Sequence, residues 1–193
     1  MKEELEKILV QRKKRYINDT GRIPSAVLVP LYEKHGHHYI VFVRRTETVK
    51  DHKGQISFPG GARDNSDRTL LHTALRESRE EIGLKTKDIE VLGELDDELT
   101  TTSNYIVTPF VAMIPWPYRF KKNKEEVAEI IDAPVEALME KGRRKEASEI
   151  SDGRPIESYT YNYRGTVIWG ATARILKKLL DIIGEIMTDK HSV

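Results

Sequence analysis

The chain has 193 residues, with 32 Lys plus Arg against 31 Asp plus Glu and a formal charge of +1. That is enough for one substantial core and gives no general electrostatic case for nucleic-acid binding. The absence of cysteine excludes disulfides and Cys-ligated zinc. No window approaches the roughly 20 apolar residues that span a bilayer, and the amino terminus lacks the apolar core of a signal peptide. The expectation is a single soluble, cytoplasmic domain over residues 1–193, with no membrane contact and no specific nucleic acid.

Residues 2–16 alternate charge with Leu5, Ile8 and Leu9 and read as an amphipathic helix packed on the domain. Gly21 and Pro24 end that segment. Ser25–Tyr32 and His38–Arg45 read as strands, joined by a turn at Glu33–His37 whose histidines have no acidic partner in sequence to complete a metal cluster.

The stretch from Gly54 to Leu84 is the densest in signals. A short strand turns at Phe58-Pro59-Gly60-Gly61 and leads to a helix that ends at Gly83, with Asp67 or Ser66 as its N-terminal cap. Helical spacing puts Leu71, Leu75, Ser78 and Ile82 on one side and Glu77, Glu80 and Glu81 on another. Those carboxylates repel one another at i, i+3 and i+4, and they sit at the helix end where the dipole disfavours negative charge. A hard divalent cation would relieve both effects. The alternative is a solvated face neutralised by Arg76 and Arg79, in a chain that is 33% charged.

Residues 76–84, REUxEExGU with Ser78 at the first aliphatic position U, resemble the second half of the Nudix hydrolase box, and Gly61 matches its first glycine. Asp67 stands where that box has its first glutamate, eight residues rather than seven before Arg76. The resemblance implies that Glu77, Glu80 and Glu81, with the Gly60 carbonyl, hold Mg²⁺ or Mn²⁺, and that Arg76 orients Glu77. Upstream, Val43-Arg44-Arg45-Thr46, Lys50, His52 and Gly54 ahead of Phe58-Pro59-Gly60-Gly61 are similar to the motif of the coenzyme A pyrophosphatase branch. This implies substrate contacts for Arg45, Thr46, Lys50 and His52; Lys50 replaces an arginine, which keeps the charge and loses the bidentate fork.

After the helix, Ile89–Leu95 reads as a strand with Asp96-Asp97-Glu98 as its polar exit, followed by the hydroxyl-rich loop Leu99–Asn104 and the strand Tyr105–Ile114. Such loops often satisfy their own backbones. The run Val107-Thr108-Pro109-Phe110-Val111 again resembles the coenzyme A branch and implies that Thr101 and its neighbours lie near substrate. Pro115–Tyr118 is a rigid turn whose rings either seal a core edge or stack on a base. Glu126 and Glu129 are the two candidates for the distal glutamate that the resemblance implies; they share a face if helical and point oppositely if extended. Residues 133–141 read as a short helix, and residues 142–155 as a long polar connection with the character of a flap. Residues 156–163 and 165–169 read as paired strands, before a last helix that buries Ile175, Leu176, Leu179, Ile182, Ile183 and Ile186.

The expected fold is α/β, an α/β/α sandwich around a mixed β-sheet as in the Nudix fold. The resemblance implies metal-dependent hydrolysis of the diphosphate linkage of coenzyme A or an acyl derivative, giving 4′-phosphopantetheine and adenosine 3′,5′-bisphosphate. Two alternatives stay open: a Nudix pyrophosphatase acting on ADP-ribose, dinucleotides or nucleoside triphosphates, and a non-catalytic nucleotide- or RNA-binding module. Homodimerisation is compatible with the sequence.

Overall fold

The run Ile23–Lys34 forms the central strand β1, apolar nearly throughout because it is covered on both faces. The computed structural model describes residues 1–47, 54–140, 142, 144–151 and 154–189. β2 (His37–Arg45) returns antiparallel from β1 through a two-residue turn at His35-Gly36, both with positive φ (52° and 81°), the geometry that matches strand twist in a tight hairpin. Then come β3 (Ile56–Ser57), β4 (Gly60–Ala62), helix α2 (Leu70–Ile82), β5 (Glu90–Glu94), β6 (Glu98–Leu99) and β7 (Tyr105–Met113). β8 (Val127–Pro134), helix α3 (Val135–Met139), β9 (Arg144–Ser151), β10 (Arg154–Tyr163), β11 (Thr166–Ile168) and helix α4 (Gly170–Asp189) complete the order, after helix α1 (Lys2–Gln11) at the amino terminus.

The main sheet runs β3-β2-β1-β7-β5, with β4 on β1, β6 on β7 and β8 on β2. β1 and β7 are parallel and the other pairs antiparallel, so the sheet is mixed. Alternation divides the core into two layers. Val29, Leu31, Ile40, Phe42, Val107 and Val111 face α1, α4 and the small sheet β11-β10-β9; Leu28, Val41, Val43 and Phe110 face α2. The architecture is thus the expected α/β sandwich, with helices flanking a mixed sheet. Among the described residues no helix is long and apolar enough to cross a membrane.

Several expected boundaries move, each for a local reason. α1 stops at Gln11, short of residue 16, because the next residues bond sideways to the β5–β6 connection. Arg12 reaches Asp96 at 2.7 Å, Lys14 reaches Glu94 at 2.5 Å and Asp97 at 3.0 Å, and Asp97 also accepts from the Ile17 amide at 3.0 Å. At the expected polar exit, Asp97 and Glu98 are buried as ion-pair partners, Asp97 of Lys14 and Glu98 of Arg174 and Lys178. Leu5 and Leu9 dock α1, and Gly93 admits it: a Cβ on Gly93 would lie 2.7 Å from that of Leu9. Residues 127–134 are strand, and Pro134 precedes the short helix as its cap rather than opening its first turn. The expected flap is largely a β9–β10 hairpin, in which Tyr159 and Tyr161 alternate inward to seal the core beneath α4.

Candidate active site

α2 begins where Thr69, not Asp67 or Ser66, accepts a hydrogen bond from the His72 amide at 3.1 Å, a cap worth about 1 kcal/mol. It ends at Gly83 in a left-handed conformation (φ 72°), with the Leu84 amide donating back to the Ser78 carbonyl. The buried residues are Thr73, Ala74, Ser78, Glu81 and Ile82, while Leu71 and Leu75 are only partly covered. The inward face is thus rotated relative to the leucine-based expectation, and it carries a carboxylate into the protein.

Asp67, 3% exposed, is the anchor of the site's arginine. It holds Arg76 through two parallel bonds, Nε to Oδ1 at 3.1 Å and Nη2 to Oδ2 at 2.9 Å. The remaining Arg76 donors reach Glu77 at 2.8 Å, Glu80 at 3.1 Å and the Ala62 carbonyl at 3.2 Å. Arg76 holds the Asp67 carboxyl far below the usual range, and Asp67 with Glu77 in turn raises Arg76. The orientation of Glu77 expected of Arg76 is present in this geometry, and Asp67 serves the arginine rather than the carboxylate cluster.

The glycines set the approach. A Cβ on Gly60 would lie 2.3 Å from the Ala26 carbonyl oxygen, and one on Gly61 would lie 2.6 Å from the Glu77 carboxylate. Glycine at both positions lets β4 pair with β1 while α2 presses Glu77 against it. The Gly60 amide donates to Glu81 at 3.0 Å, and Arg45 Nη1 reaches the other oxygen of Glu81 at 3.3 Å. Burial nevertheless pushes Glu81 up to about 8, against the pull of Arg45 and with added repulsion from Glu77 and Glu126. Glu77 is also raised by burial, with Arg76 opposing and Glu80 and Glu126 adding to the shift.

Glu126 comes from a different part of the chain and is pinned there by backbone bonding. The carbonyls of Glu81 and Ile82, unsatisfied at the end of α2, accept from Asn123 at 2.8 Å and Lys121 at 2.9 Å. Thr46 fixes the other side, its amide donating to the Glu126 carbonyl at 2.9 Å and its hydroxyl to the Glu125 carbonyl at 2.8 Å. Thr46 is thus a tether of the Glu126 loop and does not line the cleft. Because residues 127–134 are extended, Glu129 diverges from Glu126; it is exposed and pairs with Arg44 at 3.0 Å.

These elements enclose a cleft of about 400 Å³, within the range of small-ligand sites. It is lined by Arg45, Gly60, Gly61, Glu77, Glu81 and Glu126, from β2, β4, α2 and the segment before β8, and by Thr100–Thr102, Tyr105, Val107 and the start of α4 from Trp169 to Thr172. Thr101 faces the cleft, whereas the Thr100 hydroxyl is engaged within its own loop by Ser103 and Tyr105. Glu80, on the outer side of Arg76, is exposed. Lys50 and His52 lie outside the described residues. Trp116 sits away from the cleft, beside Lys34 and His35. The place of the α4 start in the cleft is not marked in the sequence, where its residues describe only a packing helix entered at Gly170.

The carboxylate donors are oxygen-only, the buried Glu81 and the half-buried Glu77 beside Glu126, so they suit a hard divalent cation. Among the described residues, no three acidic or histidine side chains converge into a ready coordination shell.

The NUDIX domain family model matches residues 22–152. The Nudix hydrolase NudL of Photorhabdus laumondii is 34% identical over 163 residues, covering 84% of this chain and 86% of that protein. Its counterpart in Pectobacterium atrosepticum is 35% identical over 155 residues, 80% of each chain. Among solved structures, a MutT/nudix family protein from Enterococcus faecalis shares the fold, with a TM-score of 0.56 at 15% identity, over 96% of this chain and 69% of that one. With the glycine turn and the acidic helix meeting at one cleft, Arg76 holding Glu77 there, and a family match over most of its length, the chain belongs to the Nudix hydrolase family, hydrolases of nucleotide diphosphate moieties that generally use divalent metal ions.

Proposed function

We propose that this cleft hydrolyses the diphosphate linkage of a nucleoside diphosphate derivative, of the kind represented by ADP-ribose, dinucleotides or nucleoside triphosphates. The observation that carries the reading is the meeting of Glu77, Glu81 and Glu126 with Arg45 in one cleft. Glu77 and Glu81, with Gly60 beside them and Glu80 from the outer side of Arg76, are the residues that would hold Mg²⁺ or Mn²⁺. Such an ion, when bound, supplies charge neutralisation at the phosphate oxygens and acidification of water. Arg45, which lines the cleft and holds Glu81 through one Nη, meets a substrate phosphate with its guanidinium; among the described residues its Nε has no hydrogen-bond partner. Water attacks one phosphorus, Glu126 accepts the proton, and the bridging P–O bond breaks with its electron pair leaving on the departing phosphate. Asp67 and Arg76 keep Glu77 in place throughout.

Coenzyme A is the second reading, favoured by Arg45 and Gly54 preceding Phe58-Pro59-Gly60-Gly61 in the spacing of that branch and by the placement of Arg45 in the cleft. Product formation from ADP-ribose, a dinucleotide and coenzyme A, each with Mg²⁺, with Mn²⁺ and after chelation, tests both. Turnover of at least one diphosphate that stops on chelation is expected. A clear preference for ADP-ribose over coenzyme A would remove the second reading alone, and full turnover without metal would remove the mechanism.

A further inference from the structure

Trp169 immediately precedes α4 and lines the same cleft as the carboxylates of Glu77, Glu81 and Glu126. It is 39% exposed, although a tryptophan ring is among the most favourable groups to bury. Among the described residues its ring stacks on no other ring and lies under no cation. Trp116, equally exposed at 40%, is by contrast already engaged by Lys34 at 5.3 Å and His35 at 5.2 Å outside the cleft. Apart from its chain neighbours and its own helix, no heavy atom of the described residues lies within 4 Å of where a Cβ on Gly170 would stand, and the next cleft residues, Ala171 and Thr172, are small. The lining therefore combines two kinds of group: carboxylates and a guanidinium, and a partly exposed aromatic ring with Ile175 and hydroxyls.

We propose that Trp169 is the platform on which the base of a nucleotide substrate stacks, and so determines specificity for the part of the substrate that does not react. The inference rests on the diphosphate reading for its substrate class. With the base on Trp169, the diphosphate extends toward Arg45 and the Glu77–Glu81 wall. Stacking supplies binding that is largely indifferent to which base is present, because each base has a π-face.

The chain has two tryptophans, so Trp116→Phe leaves Trp169 as the sole reporter. In that background, emission is followed during titration with ADP and, separately, with inorganic pyrophosphate. Saturable loss of emission with ADP and none with pyrophosphate is expected. Trp169→Ala should raise KM for ADP-ribose about tenfold with a smaller fall in kcat, and Trp169→Phe should recover most of the loss, since base stacking on an aromatic is worth about that factor or more. Unchanged emission through saturating ADP in a protein that hydrolyses ADP-ribose would overturn the platform and leave the chemistry standing. Quenching by ADP without hydrolysis of any diphosphate would do the reverse. Unchanged KM in Trp169→Ala would also overturn the platform.

Discussion

Replacing Asp67 by Asn keeps the shape of the side chain and removes the charge that holds Arg76. Losing one partner of a buried ion pair costs about 3–5 kcal/mol. Here Arg76 is 23% exposed and keeps Glu77 and Glu80, so its charge is only partly abandoned and the cost falls below that range, at about 2–3 kcal/mol. In a chain of this size each kcal/mol moves the melting temperature by about 2–4 °C, so Asp67→Asn should melt roughly 4–12 °C lower. The pH dependence is also determined. The folded carboxyl is depressed below its ordinary 3.8, so its contribution is complete above that value and is lost as the pH falls below it. Urea unfolding of both proteins at pH 7, and again as the pH is lowered toward 3, should show a gap that narrows in acid. A double-mutant cycle with Arg76→Met assigns the gap to the pair. A gap under about 0.5 kcal/mol at pH 7, the size of an ordinary surface substitution, would refute the role given to Asp67.

Glu81 behaves oppositely in the metal-free protein: with its pKa pushed up to about 8 from 4.5, the fold keeps a proton that the unfolded chain has lost. Stability in chelator should therefore fall as the pH rises from about 4.5 to about 8, and urea titrations should show Glu81→Gln gaining more at pH 8 than at pH 5; equal gains would contradict this. The two glycines should separate folding from chemistry. Gly60→Ala forces a backbone contact and should lower the melting temperature, by about 1–3 kcal/mol of overpacking, whereas Gly61→Ala meets only the end of Glu77 and should stay folded while losing about 10²-fold in turnover. Arg174 bonds Glu98 at 2.8 Å and the Leu99 carbonyl just before the Thr100–Thr102 wall, so Arg174→Met should raise KM more than it lowers kcat in steady-state assays, with partial recovery in Arg174→Lys.

The sheet was legible because its strands carry strong period-2 or continuously apolar patterns, and the acidic helix because its glycine stop and charge spacing are local. The role of Asp67 was hidden because its partner lies across a turn and a helix start, where spacing alone suggests a cap. The choice between Glu126 and Glu129 depended on whether Val127–Pro134 is helix or strand, and that is decided by pairing with β2, a contact remote in sequence. The β9–β10 hairpin was obscured by its charged, polar residues, which lower strand propensity even though alternate tyrosines of β10 reach the core. Of the two tryptophans, the turn around Trp116 drew attention through its prolines, while Trp169 reaches the cleft only because α4 packs beside the Thr100–Thr102 loop, about seventy residues away in sequence.

If diphosphate hydrolysis takes place in the Glu77–Glu81–Glu126 cleft, it shows in the initial rate on the best diphosphate substrate at saturating Mg²⁺, measured for the unmodified protein, Glu81→Gln and Glu129→Gln. Glu81→Gln should lose about two orders of magnitude or more, the scale on which a central electrostatic group acts, and Glu129→Gln, whose side chain pairs with Arg44 outside the cleft, should keep near-full activity. Equal rates in Glu81→Gln and the unmodified protein, or a loss confined to Glu129→Gln, would contradict it.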